Sequence, residues 1–234
     1  MSKTILQIVQ EVATVIGVDV PASVYGSTER ELLELAQIAN EMGARIAGDT
    51  GDWSVLKKLE TITGDGIEES FALPSDYLRM LKTTQLRISS FLEQGLTHFP
   101  DTDDWLAMEQ YVGNWVTGAW TIIGSDIHIR PIVASAVTVR YYYLDKNFAL
   151  DTLGAIKSEF TVDTDTFRLD DRVLKLAIIW QWKAQKGFGY SEDMANYEEA
   201  LAYKIGNDKG SNIISNPSRR PYINARYAYP GQLG

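Results

Sequence analysis

Hydrophobic residues recur at helical steps at both ends of this chain and at strand steps in its middle. This switch of period limits the fold more than any other feature, because a 3.6-residue stripe and a two-residue alternation cannot serve the same element. Near the start, Ile5, Ile8, Val9, Val12, Val15 and Ile16 make one apolar face. Gly17 ends it and Pro21 blocks an early restart. Thr28 and Glu31 have capping-box spacing, so a second helix is expected to open at Thr28. Its buried stripe is Leu32, Leu35, Ala36, Ala39, Met42, Gly43 and Ile46, and Gly48 stops it. The small residues on that stripe allow a close neighbour.

Strand signals then take over. Glu60–Thr63, the turn Gly64-Asp65-Gly66 and Ser70–Leu73 read as a hairpin. Pro74-Ser75-Asp76 is a turn, and Tyr77–Ile88 reads as one mixed strand. Asp101–Gly113 suits a short helix capped by Asp103 or Asp104. Trp120–Ile123 and Ile127–Arg130 flank Gly124-Ser125-Asp126 as a second hairpin. The strongest strand is Ala136–Leu144, with Val137, Val139, Tyr141 and Tyr143 on one face.

Helical character returns at Asp170, where Asp170 and Asp171 suit the positive end of a helix. From Val173 to Trp182 almost no polar face remains, so this helix must be buried nearly all round, with Trp180 in the core. After the turn Gly187–Tyr190, Ser191 is expected to cap a last helix bearing Met194, Tyr197, Leu201 and Ile205, with Gly206 at its C-terminal cap. The two helices should form an antiparallel hairpin. The expected class is therefore α+β. A helical bundle, residues 1–52 and 165–208, carries an inserted antiparallel β-sandwich or barrel-like domain, residues 53–164. An extended C-terminal arm follows, residues 209–234.

That arm differs in kind. Lys209, Arg219, Arg220 and Arg226 are its only charged residues, and without them the formal charge of −9 becomes −13 for the first 208 residues. It holds three of the seven prolines and no helical or strand period, so in isolation it reads as disordered or extended. Yet Ile213, Ile214, Arg219, Arg220, Tyr222, Arg226, Tyr227 and Tyr229 interleave apolar, guanidinium and phenol groups. Arg and Tyr are frequent interface anchors, which makes a protein-binding arm the preferred reading. A solubilising tail and a single-stranded nucleic-acid binder stay open.

Function classes narrow by exclusion. An acidic chain lacks the basic stripe of a nucleic-acid reader and is ill suited to anionic membranes. With no cysteine, disulfides, thiolate nucleophiles and zinc–thiolate sites are excluded. The N-terminus does not read as a signal peptide, and no apolar run approaches the about 20 residues needed to span a bilayer. His98 and His128 stand thirty positions apart and read as strand or surface residues. Gly64-Asp65-Gly66 and Gly187-Phe188-Gly189 read as turns and not as phosphate cradles. Asp101, Asp103 and Asp104, like Asp163, Asp165, Asp170 and Asp171, lack the full ligand spacing of a calcium loop and read as helix caps. Glu68-Glu69 and Glu198-Glu199 read as solvated faces. No catalytic, cofactor-binding or metal-binding residue is expected. The six Trp, twelve Tyr and seven Phe exceed what a plain helical bundle needs and leave aromatic area for partners.

The order of parts carries a resemblance. Two helices lead to Asp52-Trp53 and a strand, then to Phe71-Ala72-Leu73-Pro74-Ser75-Asp76-Tyr77-Leu78-Arg79. The hairpin Trp120–Pro131 follows, with Ile122, Gly124, Ile127, Ile129 and Pro131 in the pattern Ile-x-Gly-x-x-Ile-x-Ile-x-Pro. It leads into Val137-Thr138-Val139-Arg140-Tyr141-Tyr142, and a helical hairpin and polar tail close the chain. From Ile5 to Asn207 this layout resembles the head-to-tail adaptor (connector) family of tailed bacteriophages, tail tubular protein A among them. The resemblance implies a structural, non-enzymatic virion protein of the tail or neck, made in the host cytoplasm. It implies a ring of twelve copies bound to the portal protein and to tail nozzle, tail tube or fibre proteins. Genomic DNA would pass through the lumen without sequence-specific binding. An acidic wall suits such a conduit because it repels phosphates. The rival readings are a tail-associated polysaccharide hydrolase using a carboxylate pair and a carbohydrate-binding module.

Overall fold

The first helical turn of the chain is closed by residues more than 150 positions downstream. The Ile5 and Leu6 amides donate to the carbonyl oxygens of Asp165 (2.7 Å) and Asp163 (3.2 Å). Such amides have no partner inside a helix and must find one elsewhere. Thr4 and Gln7 complete the cap reciprocally as a capping box, with Thr4 Oγ1 accepting from the Gln7 amide and Gln7 Oε1 accepting from the Thr4 amide. The computed structural model describes residues 2–82, 84–89, 95–107 and 118–208. Along them run α1 (Ile5–Ile16), α2 (Arg30–Gly48), a single 3-10 turn (Ser54–Leu56), β1 (Lys57–Thr63), β2 (Ser70–Ala72), β3 (Tyr77–Met80), β4 (Arg87–Ile88), β5 (Thr97–His98) and α3 (Thr102–Ala107). Then come β6 (Ala119–Ile123), β7 (Asp126–Arg130), β8 (Thr138–Asp145), β9 (Ala149–Leu150), β10 (Ile156–Lys157), β11 (Thr166–Phe167), α4 (Asp171–Lys186) and α5 (Ser191–Asp208). The class is α+β.

α4 is the helix around which α1, α2 and α5 pack. Its Asp170 cap accepts from the Val173 amide (3.1 Å), and Gly187, at φ 73°, ends it in the left-handed conformation. No residue from Val173 to Ala184 is exposed, as the apolar run requires. Trp182 is buried, but Trp180 is only half-buried, and its indole nitrogen has no hydrogen-bond partner among the described residues. Lys183 pairs with Asp193 (2.6 Å) and Lys204 with Asp170 (2.6 Å), which sets α5 antiparallel to α4.

Helix ends account for most of the local corrections. On α1, Ala13 and not Val15 completes the buried face; Val15 is exposed. The Thr28–Glu31 box does not form. Glu29 occupies the cap without a side-chain bond, and its amide donates to the Ser27 hydroxyl (3.1 Å). Gly48 is the last helical residue of α2. Its predicted stripe is buried, and the Phe148 ring lies where a Cβ on Gly43 would stand. The first backbone bond of α5 runs from Met194 to the Tyr190 carbonyl, so Ser191 is already inside the helix. Gly206 is inside it too, because α5 continues to Asp208. α3 is capped by the Asp101 carboxylate, which accepts from the Asp103 amide (2.8 Å), and not by Asp103 or Asp104. The remainder of that predicted helix, residues 108–113, lies outside the described residues.

Three sheets form. One has the order β1-β8-β3, with β4 also on β8; a second runs β2-β7-β6-β5; a small third runs β10-β9-β11. All described pairs are antiparallel except β5 with β6, and among the described residues no sheet closes into a barrel. The β6–β7 hairpin turns at Gly124, at φ 64°. The first predicted hairpin does not exist: β1 pairs with β8 and β2 with β7. Its glycine turn instead leans on the segment before β8. The Gly64 and Gly66 amides donate to Val137 (2.8 Å) and Val133 (3.0 Å), and a Cβ on Gly64 would stand 2.4 Å from the Val133 oxygen. The turn thereby passes the chain from one sheet to the other. Likewise Tyr77–Ile88 is two strands, β3 and β4, laid along the same neighbour.

Val139, Tyr141 and Tyr143 of β8 point into an apolar cluster shared with Trp120, Ile127 and Ile129 of the second sheet. Leu144, at the end of the same strand, joins the other cluster, where Phe148, Phe160 and Phe167 meet the helices. Deleting a large side chain from that helical cluster leaves a cavity that close packing cannot refill. Trp182→Ala is therefore expected to cost about 3–5 kcal/mol in urea unfolding. Trp180→Ala should cost less, since that ring is half in solvent and buries an unpaired N–H. An equal or larger loss at Trp180 would contradict this packing.

Candidate interaction surfaces

The Leu73–Arg79 motif makes a corner between the sheets and the helices. Pro74 holds the turn, with the Tyr77 amide donating to its carbonyl (2.9 Å). The Asp76 carboxylate accepts from Lys58 Nζ and from the Tyr143 hydroxyl (2.8 Å). Arg79 grips the end of α2: its guanidinium donates to Gly48 O (2.8 Å), Gly51 O (3.1 Å) and the Asp52 carboxylate (2.8 Å). Beside them Asp145, fully buried, pairs with Lys58 (3.0 Å) and with Arg168 (2.9 Å). Arg168 also donates to the Asn147 and Val55 carbonyls. Burial pushes the Asp76 carboxyl up, but the bonds from Lys58 and Tyr143 outweigh it and hold the group below the usual carboxylate range. Lys58 is raised, because its two carboxylate partners overcome the opposing effect of burial. Burial, then the Asp76 bond, raises the Tyr143 phenol. Two carboxylates here share one ammonium, but Asp76 is held ionised and both are committed to cations. A general acid needs the opposite environment. Of this network the sequence exposed Asp76 and Arg79 through the motif; Asp145, Lys58 and Arg168 carried no local signal.

The aspartates near residue 165 do more than cap. Asp170 caps α4, but the Asp163 carboxylate accepts from the Val24 and Tyr25 amides (both 2.9 Å). Buried Asp165 pairs with Lys157 (2.6 Å) and accepts from the Thr161 (2.7 Å) and Val162 (3.1 Å) amides. Burial raises its carboxyl and these donors more than reverse that, leaving it lowered. Asp65 fills its own turn by accepting from the Ile67 and Glu68 amides, which leaves no phosphate cradle there. His98 stacks on Trp120 (4.2 Å between rings), and His128 lies in the β7 register opposite Ser70 and Thr121. Glu69 is not simply solvated; it pairs with Arg130 (3.2 Å). Among the described residues no group of three or more His, Cys, Asp or Glu could hold a metal ion. No described helix is long and apolar enough to cross a membrane.

Ile213, Ile214, Arg219, Arg220, Tyr222, Arg226, Tyr227 and Tyr229 lie outside the described residues. The point from which they depart is described. Asp208 at the end of α5 accepts from the Ser54 amide and hydroxyl (both 2.7 Å), and Trp53 Nε1 donates to Ile46 O (2.7 Å). A shallow cavity of about 350 Å³ opens beside it, lined by Trp53, Val55, Arg168, Lys204 and Asp208. A larger groove, about 600 Å³, runs along the outer face of β8, past Leu59, Arg87, Ser89, Arg140 and Tyr142. Its two arginines come together only through strand pairing.

The lowered carboxyls fix a direction for acid stability. A native value below the ordinary one, about 3.9, contributes stability above that pH and loses it as pH falls through the native value. Urea midpoints should therefore hold at neutral pH and decline below about pH 4. Asp165→Asn should be less stable at pH 7 and show a shallower acid decline. An unchanged acid slope would remove Asp165 from the account. Asp76→Ala should cost about 1–3 kcal/mol by stranding the Tyr143 hydroxyl and leaving Lys58 with Asp145 alone, while the folded variant keeps its partner specificity.

A family model described as SU10 adaptor protein matches residues 3–221. No curated protein matches the chain.

Proposed function

The chain belongs to the SU10 adaptor protein family, in keeping with the head-to-tail adaptor resemblance, and from that premise we propose that it builds a ring joining the portal to the tail. One observation carries the reading: the match runs from the first helix through all three sheets and both closing helices into the arm. A family of adaptors implies a structural role at the neck or tail of the virion, in association with portal and tail components. The proposal adds a closed ring, with twelve copies the expectation, around a lumen that passes DNA. It also adds the division into a helical body (1–52 and 165–208), a β insert (53–164) and an arm (209–234), with the bundle and the facing sheets as its layers.

The shape of the molecule supports the reading. Asp76, Arg79, Asp145 and Arg168 lock sheet to helices, so force applied to one part reaches the other. A charge of −13 before the arm suits a conduit for a polyanion. The arm opposes that charge and holds the tyrosines and isoleucines of an interface segment, so it is assigned to the portal or to a neighbouring copy. Its root is fixed, since Asp208 is tied to Ser54. No observation favours the hydrolase or the carbohydrate-binding module.

Mass measurement of the protein alone and with purified portal tests the ring. Sedimentation of full-length chain and of a chain ending at Lys209, each with portal, tests the arm. The truncated chain should fold but fail to co-sediment, and salt should weaken the full-length complex if Arg219, Arg220 and Arg226 supply attraction. Equal complex formation by both would return the arm to a solubilising tail.

A further inference from the structure

On the outer face of the first sheet, two arginines stand directly opposite each other. Arg87 of β4 pairs in register with Arg140 of β8, and both are exposed. Like charges in directly opposed positions destabilise a sheet unless something else compensates. Among the described residues neither guanidinium has a carboxylate partner. Alternation along β8 puts Tyr142 on the same face as Arg140, away from Val139, Tyr141 and Tyr143. Leu59 of β1 is the register partner of Tyr142, and each is 50% exposed. The result is a groove of about 600 Å³ with two cations and two apolar groups at its floor and the Ser89 hydroxyl at its rim. Arginine beside tyrosine and leucine is the composition of a protein-binding patch.

The opposite side of the β region has the complementary character. The second sheet turns Trp120, Ile127 and Ile129 toward the first sheet. Ala119 of β6 faces the other way and is covered by Trp105 of α3. α3 therefore lies on the far side of the sheet pair from the arginine groove. It exposes Asp101, Asp103 and Asp104 together with Leu106, which is 58% exposed. Arg130 sits over the Trp105 ring and is engaged with Glu69.

We infer that the Arg87–Arg140 groove receives the acidic α3 ridge of a second copy of this chain. A basic patch and an acidic patch on opposite sides of one subunit define a head-to-tail contact, the kind that closes into a ring when the rotation permits. A two-fold contact through the groove alone would set arginine against arginine. Charge complementarity selects this occupant, because the first 208 residues carry −13 and the copy offers carboxylates beside an exposed leucine. A nucleic acid would find the arginines but be repelled by the rest of the body, and it has no use for Leu59. The inference rests on the ring reading above and names the surfaces through which the copies meet.

The test uses full-length chain with purified portal, scored by sedimentation. Arg87→Glu with Arg140→Glu should lower assembly by about tenfold or more, with folding checked by urea unfolding. Adding Asp103→Arg and Asp104→Arg to that variant should restore assembly, which a merely unfolded variant could not do. The lack of cysteine permits a direct check. Thr61 of β1 lies directly opposite Arg140, so Thr61→Cys and Leu106→Cys variants, mixed on the portal and treated with a short bismaleimide, should give covalent dimers that neither variant gives alone. Unimpaired assembly of the charge-reversed pair, or cross-linking of each cysteine variant only with itself, overturns the inference and leaves the ring intact. Salt-sensitive capture of labelled DNA that is lost in the charge-reversed pair, with assembly unchanged, would give the face to nucleic acid and also overturn it. A wild-type chain that forms no oligomer, alone or with portal, overturns the adaptor reading and the inference together.

Discussion

Asp145 is a fully buried carboxylate, and the rest of the molecule is arranged around keeping it paired. An ionised group removed from water is costly unless cations and donors replace the lost hydration. Here Arg168, three residues before α4, and Lys58, on the neighbouring strand, both commit to it. Lys58 then brings in Asp76, and Asp76 brings in Tyr143. This one charge therefore ties the end of β8, the start of β1, the Leu73–Asp76 corner and the approach to α4. It lies where the apolar clusters change over, since Tyr143 belongs to one and Leu144 to the other. Removing one partner would leave the buried Asp145 carboxylate with a single cation, and this shared pairing makes the joint between sheet and helices stiff.

That stiffness fits an adaptor. A subunit that links two larger bodies gains little from an internal hinge, and the corner shows why none is needed: Arg79 holds Gly48, Gly51 and Asp52 with one guanidinium. Adaptability is assigned to the outer surfaces, where the opposed arginines, Tyr142 and Leu59 on one side and the α3 aspartates and Leu106 on the other meet solvent. The ion pairs inside hold the fold, while Arg87 and Arg140, without a carboxylate partner among the described residues, face outward.

What was legible in the sequence follows from range. α1, the α4 core and the β6–β7 hairpin were legible because period and turn chemistry are local, as with Gly17, Gly124 and Asp170. The false hairpin at Gly64-Asp65-Gly66 has the local chemistry of a tight turn, but the partner of its amides is the backbone at Val133 and Val137. The Thr28 box did not form because the helix starts at Arg30 with Glu29 as its cap, one residue too late for Thr28 and Glu31 to meet as cap and third residue. Asp76 and Arg79 stood out within a motif, whereas Asp145 and Arg168 looked like any acid and base. The Arg87–Arg140 pair could not be read at all, since it exists only in the register of β4 on β8. The arm residues were marked by composition alone.

The closing of α1 by Asp163 and Asp165 has a consequence for the order in which the molecule can be made. A ribosome delivers residue 5 long before residue 165, so the first helix leaves the exit tunnel with its leading amides unanswered. The β strands emerge next, and the first two sheets have all their partners only once β7 and β8 have appeared. Only when the loop before α4 appears can the Ile5 and Leu6 amides, which the local Thr4–Gln7 box does not reach, find their carbonyls, and only with α4 is the apolar face of α1 covered. α1 is thus among the last elements to settle, and the loop closure between it and the segment before α4 comes late, when the sheets are there to shorten the search.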